Sequence, residues 1–78
     1  MDINKPIEEK NLAALAKKFR QAAGKSKAEA ARELKVKAPT IFGAEEYPKM
    51  GLSKLRIRMI EKYSPYRVTG PVYLLHKK

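Results

Sequence analysis

Residues 26–45 read Ser26-Lys27-Ala28-Glu29-Ala30-Ala31-Arg32-Glu33-Leu34-Lys35-Val36-Lys37-Ala38-Pro39-Thr40-Ile41-Phe42-Gly43-Ala44-Glu45. The first four form a capping box. The Ser26 hydroxyl is spaced to accept the Glu29 N–H, and the Glu29 carboxylate reaches back to the Ser26 N–H. The helix this opens spans roughly 27–34 and is rich in alanine, so a neighbouring helix can approach closely. Lys35-Val36-Lys37 interrupts it. Pro39 fixes the next start, because the residue before a proline is pushed out of the helical region and a proline fits the first helical turn. Ala38 is the expected N-cap, and the helix runs to Glu45 or Glu46, with Pro48 closing it.

Outward from this pair, residues 8–23 show a helical stripe of Leu12, Leu15, Phe19 and Ala22, with Gly24 at the expected C-terminal stop and Pro6 in or before the first turn. Residues 52–63 read as a further helix. Leu52, Leu55, Met59 and Tyr63 line one face, Ile57 and Ile60 widen it, and Arg56, Arg58 and Lys62 are expected to cover the rest. Pro65 ends it. The remainder changes character: Tyr66-Arg67-Val68-Thr69 alternates, and Val72-Tyr73-Leu74-Leu75 is β-favouring, with Gly70-Pro71 between. The expected division is 1–65 as one helical domain and 66–78 as a C-terminal β arm.

With 78 residues, the chain has room for one domain and a small core. It has no cysteine and one histidine, His76, which excludes a disulfide scaffold and leaves no metal or cofactor site to expect. No apolar run is long enough to span a bilayer, and residues 1–6 lack the order of a signal peptide, so a cytoplasmic protein without a membrane partner is expected. The net charge of +10 falls in two blocks. Residues 17–37 carry eight basic and two acidic side chains, and residues 49–78 eight and one. Such a field attracts polyanions. No acid–base pair, phosphate loop or nucleophile constellation is legible, so catalysis is not expected.

The segment 27–45 resembles the helix-turn-helix unit of the Cro and phage-repressor family, also called the XRE family. The resemblance rests on the cap, the Ala28–Ala31 run with Ala31 at the helix crossing, Leu34 and Ile41 in core positions, and the closing Glu45. It covers roughly residues 12–63. It implies an all-α, lambda-repressor-like bundle of four to five short helices, and a dimeric transcriptional regulator, expected to be a repressor, on a palindromic DNA operator. The helix near 39–46 would then enter the major groove. The base-reading positions that the family implies fall on Lys27, Ala38, Pro39 and Gly43, three of which have no side-chain donor or acceptor. Lys27, Thr40 and Phe42, the last either against a thymine methyl or in the core, are the remaining readers. Lys25, Lys27, Lys35, Lys37, Lys49 and Lys54, with Ser53 at the start of the last helix, are the expected phosphate contacts. The family usually has Gly where this chain has Lys35, so the turn is either altered or strained. It also implies an ion pair between Arg20 and Glu45.

Fold does not fix function, and the poor donor set leaves room for another role: an antitoxin-like or anti-repressor module on the same fold, bound to a protein such as a toxin. For the tail, Gly70-Pro71 allows a hairpin within the chain. The expectation favoured here is a ribbon between two copies, as in Cro-like repressors, with Tyr66, Val68, Val72, Tyr73, Leu74 and Leu75 as dimerisation residues.

Overall fold

Ser26 accepts the Glu29 N–H at 3.1 Å, and Glu29 accepts the Ser26 N–H at 2.9 Å, so the capping box forms as its spacing requires. It opens α2, Lys27–Leu34, in a computed structural model that describes residues 3–69 and 73–78. The full order is β1 (Ile3–Ile7), α1 (Glu9–Ala22), α2, α3 (Ala38–Glu46), α4 (Ser53–Tyr63), β2 (Tyr66–Thr69) and β3 (Tyr73–Lys77). Among the described residues the domain is mostly helical: four helices followed by a C-terminal two-strand antiparallel hairpin.

The helix boundaries lie within one residue of the expected ones, but two details differ. Lys37, not Ala38, is the extended N-cap of α3, and Pro39 sits in its first turn, where the missing N–H has no helical partner to lose. Pro6 lies in β1 and not at the start of α1. Gly24 takes φ +72° after α1, and the Lys25 N–H closes onto the Arg20 carbonyl at 3.2 Å, a helix stop that glycine allows without a Cβ penalty.

The core joins Leu12 and Ala16 of α1, Ala30, Ala31 and Leu34 of α2, Ile41 and Ala44 of α3, Leu55, Met59 and Ile60 of α4, and Leu75 of β3. The α1 stripe is rotated from the expected one. Leu12, Ala13, Ala16 and Arg20 are its buried residues, Leu15 and Phe19 are half-buried at its margin, and Ala22 is exposed. Arg20 occupies the inward position because Glu45 waits there. Ile60 is wholly enclosed in this core.

The expected helical domain with a C-terminal β arm is present, and what the expectation lacked is the strand before α1: among the described residues three strands form a sheet in the order β1-β3-β2. β2 and β3 pair antiparallel, with Tyr66 opposite Lys77, Arg67 opposite His76, Val68 opposite Leu75 and Thr69 opposite Leu74. β1 pairs antiparallel along the other side of β3, with an irregular register between Ile3 and Ile7. Pro6, which cannot donate to the ladder, lies inside that irregular stretch. The expected cross-chain ribbon is therefore replaced by pairing within the chain: β3 has a strand on each side and no free edge to offer. Gly70, Pro71 and Val72 lie outside the described residues.

The outer edge of β2 is also covered. Tyr66 N–H donates to Ser64 Oγ at 3.1 Å and Val68 N–H to Glu61 Oε2 at 3.0 Å. These are the two β2 amides that alternation turns away from β3, and capping them with side chains removes the donors an incoming strand needs. Tyr66, Val68, Tyr73 and Leu75 face the helices and pack on the core, with Tyr66 tilted against Phe19 at 5.9 Å between ring centres. Leu74 falls on the opposite face of β3.

Candidate nucleic-acid interface

The turn between α2 and α3 sets the site. Lys35 takes φ 60°, ψ 43°, the left-handed conformation, and is the one non-glycine residue with positive φ among those described. The Val36 N–H then closes onto the Ala31 carbonyl at 3.0 Å, five residues back, which satisfies the end of α2 and redirects the chain into α3. Of the two alternatives for Lys35, the strained turn is the one adopted. Arg58 of α4 braces the same point, its Nη2 donating to the Leu34 carbonyl at 2.9 Å.

α3 is anchored at its far end by two arginines. Arg20 Nε donates to Glu45 Oε2 at 2.5 Å and Nη2 to Oε1 at 3.0 Å, both side chains being buried, while Arg20 Nη1 also caps the Lys25 carbonyl at 2.7 Å. The hydrogen bond with Glu45 raises the Arg20 pKa despite burial. Arg56 was expected on the surface and is instead completely enclosed. It donates to the carbonyls of Ala44 and Tyr47, both at 2.8 Å, and to Glu9 Oε1 at 2.5 Å. It thus satisfies the end of α3 and ties it to the start of α1. A cation beneath helix C-terminal carbonyls is favoured by the helix dipole.

With Ile41, Gly43, Ala44 and Glu45 turned inward, the opposite face of α3 is outward. Ala38, Pro39 and Phe42 are exposed on it, and Thr40 is half-buried. Phe42, for which both a core and a surface position were open, is 43% exposed. Its ring packs edge-on to Tyr47 at 5.7 Å, and the Lys27 ammonium stands 5.8 Å from its centre. Helical spacing held this signal: Ile41, Ala44 and Glu45 share one face, so Phe42 must leave it. Gly43 is buried, and a Cβ there would meet Met50 Sδ at 3.1 Å and Leu52 Cδ1 at 3.4 Å, so it packs against the loop after α3 and not at the outer surface.

Of the expected phosphate contacts, Lys27 is half-buried beside the Phe42 ring, and the others divide into two groups. Lys35, Lys37, Lys49 and Lys54 are exposed, and no carboxylate of the described residues pairs with them. Lys25 is paired with Glu33 at 2.9 Å, and the Ser53 hydroxyl donates to Glu9 Oε1 at 2.7 Å, so both are already engaged. Glu33 is held below the ordinary carboxylate value by the Tyr63 hydroxyl and by Lys25, whose own pKa is raised by the same carboxylate. Burial and the Glu33 hydrogen bond push the Tyr63 hydroxyl up. Beside Thr40, an open groove of about 590 Å³ runs to the start of α4, with Lys54 and Arg58 on its wall.

Among the described residues no cluster of His, Cys, Asp and Glu has the makings of a metal site, and no helix is long and apolar enough to cross a membrane. No protein-family model matches the chain, and no curated protein or solved structure matches it either.

Proposed function

We propose that this chain is a DNA-binding transcriptional regulator whose α2–turn–α3 unit is a helix-turn-helix of the lambda-repressor-like type, acting as a repressor on a palindromic operator. The observation that carries the reading is the left-handed turn at Lys35, which stands a firmly anchored α3 with its outer face free beside unpaired lysines. The start of α2, with Lys27, then lies along the backbone, and α3 lies in the major groove. Lys35, Lys37, Lys49 and Lys54 supply the phosphate contacts that position the protein without reading sequence. A homodimer would set two α3 helices about one DNA turn, ~34 Å, apart. Its joint has to be a surface other than the edges of β3, which are both paired.

One feature favours a second reading, a protein-binding module of the antitoxin kind. An apolar cleft of about 720 Å³ opens beside Tyr47, Pro48 and Met50, with Glu8, Glu9, Glu46, Lys10 and Lys49 around it. Its apolar lining suits an apolar peptide segment better than DNA. Selection of bound duplexes from a random pool, with sedimentation of the complex, separates the readings. A recovered palindrome bound by two copies supports the regulator. Binding that enriches no sequence, together with a stoichiometric protein complex blocked by Tyr47→Glu, refutes it.

A further inference from the structure

The outer face of α3 carries Ala38, Pro39 and Phe42, all exposed and none able to donate or accept a side-chain hydrogen bond. They lie at i, i+1 and i+4, on one side of the helix. Most base-edge atoms in the major groove are donors or acceptors, and covering them without partners is costly. The apolar exception in ordinary DNA is the thymine 5-methyl group. The apolar part of this face, Ala38, Pro39 and Phe42, therefore favours methyl-bearing pyrimidines, while Glu46, exposed on the same side one turn beyond Phe42, is held by Lys17 at 2.8 Å. The cationic rim of the face, Lys27 and Lys37, complements the phosphates on either side.

Phe42 is also held in place before any ligand arrives. Lys27 stands over its ring and Tyr47 buttresses its edge. A ring fixed in advance loses less entropy on binding. Resting on the DNA-binding reading above, we infer that α3 is a reader of pyrimidine 5-methyl groups, with Phe42 as the specificity-determining residue. It takes thymine and 5-methylcytosine alike and disfavours uracil and unmodified cytosine.

The test uses the full chain and four alternating duplexes, A·T, A·U, G·C and G·5-methylcytosine, titrated by fluorescence anisotropy at fixed salt. The methylated member of each pair is expected to bind more tightly, by about fourfold for each methyl covered, the fold-change matching burial of one such group. Phe42→Ala, which removes an exposed ring and leaves the core intact, is expected to bring both ratios close to one, with circular dichroism checking its fold. Equal wild-type affinity within both pairs overturns methyl reading and leaves DNA binding standing. Ratios unchanged in Phe42→Ala overturn the assignment to Phe42. Absence of binding to all four duplexes overturns both this inference and the reading on which it rests.

Discussion

Arg20 of α1 and Glu45 of α3 meet as a two-pronged ion pair enclosed by the core, with contacts of 2.5 and 3.0 Å and almost no exposed side-chain surface. Glu45 lies in the last turn of α3, where the helix dipole disfavours a negative charge, so the guanidinium compensates both the charge and its burial. Removing one member strands the other. Arg20→Met is expected to destabilise the protein by about 3–5 kcal/mol in chemical denaturation, while Arg20→Met combined with Glu45→Leu recovers a large part of the loss. An Arg20→Met protein with wild-type stability contradicts this account.

Lys35 stores strain that glycine would release. A non-glycine residue in the left-handed region costs about 1–2 kcal/mol, part of which is returned through the greater unfolded-state freedom of glycine. Lys35→Gly is expected to stabilise by about 0.5–1 kcal/mol, and Lys35→Val to destabilise because a β-branched side chain fits that region worst. If both variants melt at the wild-type temperature, the turn is not strained.

The elements that a local pattern specifies were legible in the sequence: the Ser26–Glu29 cap, the Pro39 start, the Gly24 stop, and the helices they bound. Arg20 with Glu45 was legible through a resemblance, since nothing in either neighbourhood shows that both are buried. Arg56 was not. Between Leu55 and Ile57 it reads as a surface cation, and its partners, the carbonyls of Ala44 and Tyr47, become visible only when α4 is laid against α3. β1 escaped for a similar reason. Ile3–Ile7 is short and contains a proline, and only distant β3 makes it a strand. The outer face of α3 was half legible: Ala38 and Pro39 were placed on it, Gly43 was placed there wrongly, and Phe42 needed the inward face to be known first.

Acid is expected to weaken the fold through three glutamates whose pKa values are lowered from the ordinary 4.5: Glu29 by the Ser26 N–H, Glu33 by the Tyr63 hydroxyl and Glu46 by Lys17. A lowered pKa in the folded state gives stability that is complete above the unfolded value and is lost as pH falls through the folded one. The melting temperature should therefore hold from neutral pH down to about 5 and decline below about 4.5. Glu29→Gln retains an acceptor for the Ser26 N–H but does not titrate, so its decline should be shallower. An unchanged melting temperature down to about pH 3 refutes the assignment.

DNA affinity should depend on salt through the lysines that are not already paired. Counting Lys27, Lys35, Lys37, Lys49 and Lys54 as contacts gives a log–log slope of about −4 to −5. Lys37→Ala should weaken binding to all sequences alike and flatten the slope by about one. Lys25→Ala should leave the slope nearly unchanged, because Lys25 is occupied by Glu33. Anisotropy titrations over a salt series measure both, and equal slope changes for the two variants would contradict the division.

The C-terminal hairpin is part of the domain's own core, which sets the outcome of removing it. Leu75 is fully buried, Tyr66 lies against Phe19, and Val68 and Tyr73 pack on the same cluster. Taking away β3 also leaves β1 without its partner. A leucine-sized cavity alone costs about 2–5 kcal/mol, comparable with much of the stability of a domain this small. Deleting residues 66–78 is therefore expected to abolish cooperative unfolding and to expose Phe19 and Ile60, and not to release a folded helical monomer. Leu75→Ala is the milder form of the same test, with a loss of about 2–5 kcal/mol and unchanged β2–β3 pairing. A truncated chain that still melts cooperatively, with native helix content by circular dichroism, would show that the four helices close a core without the sheet.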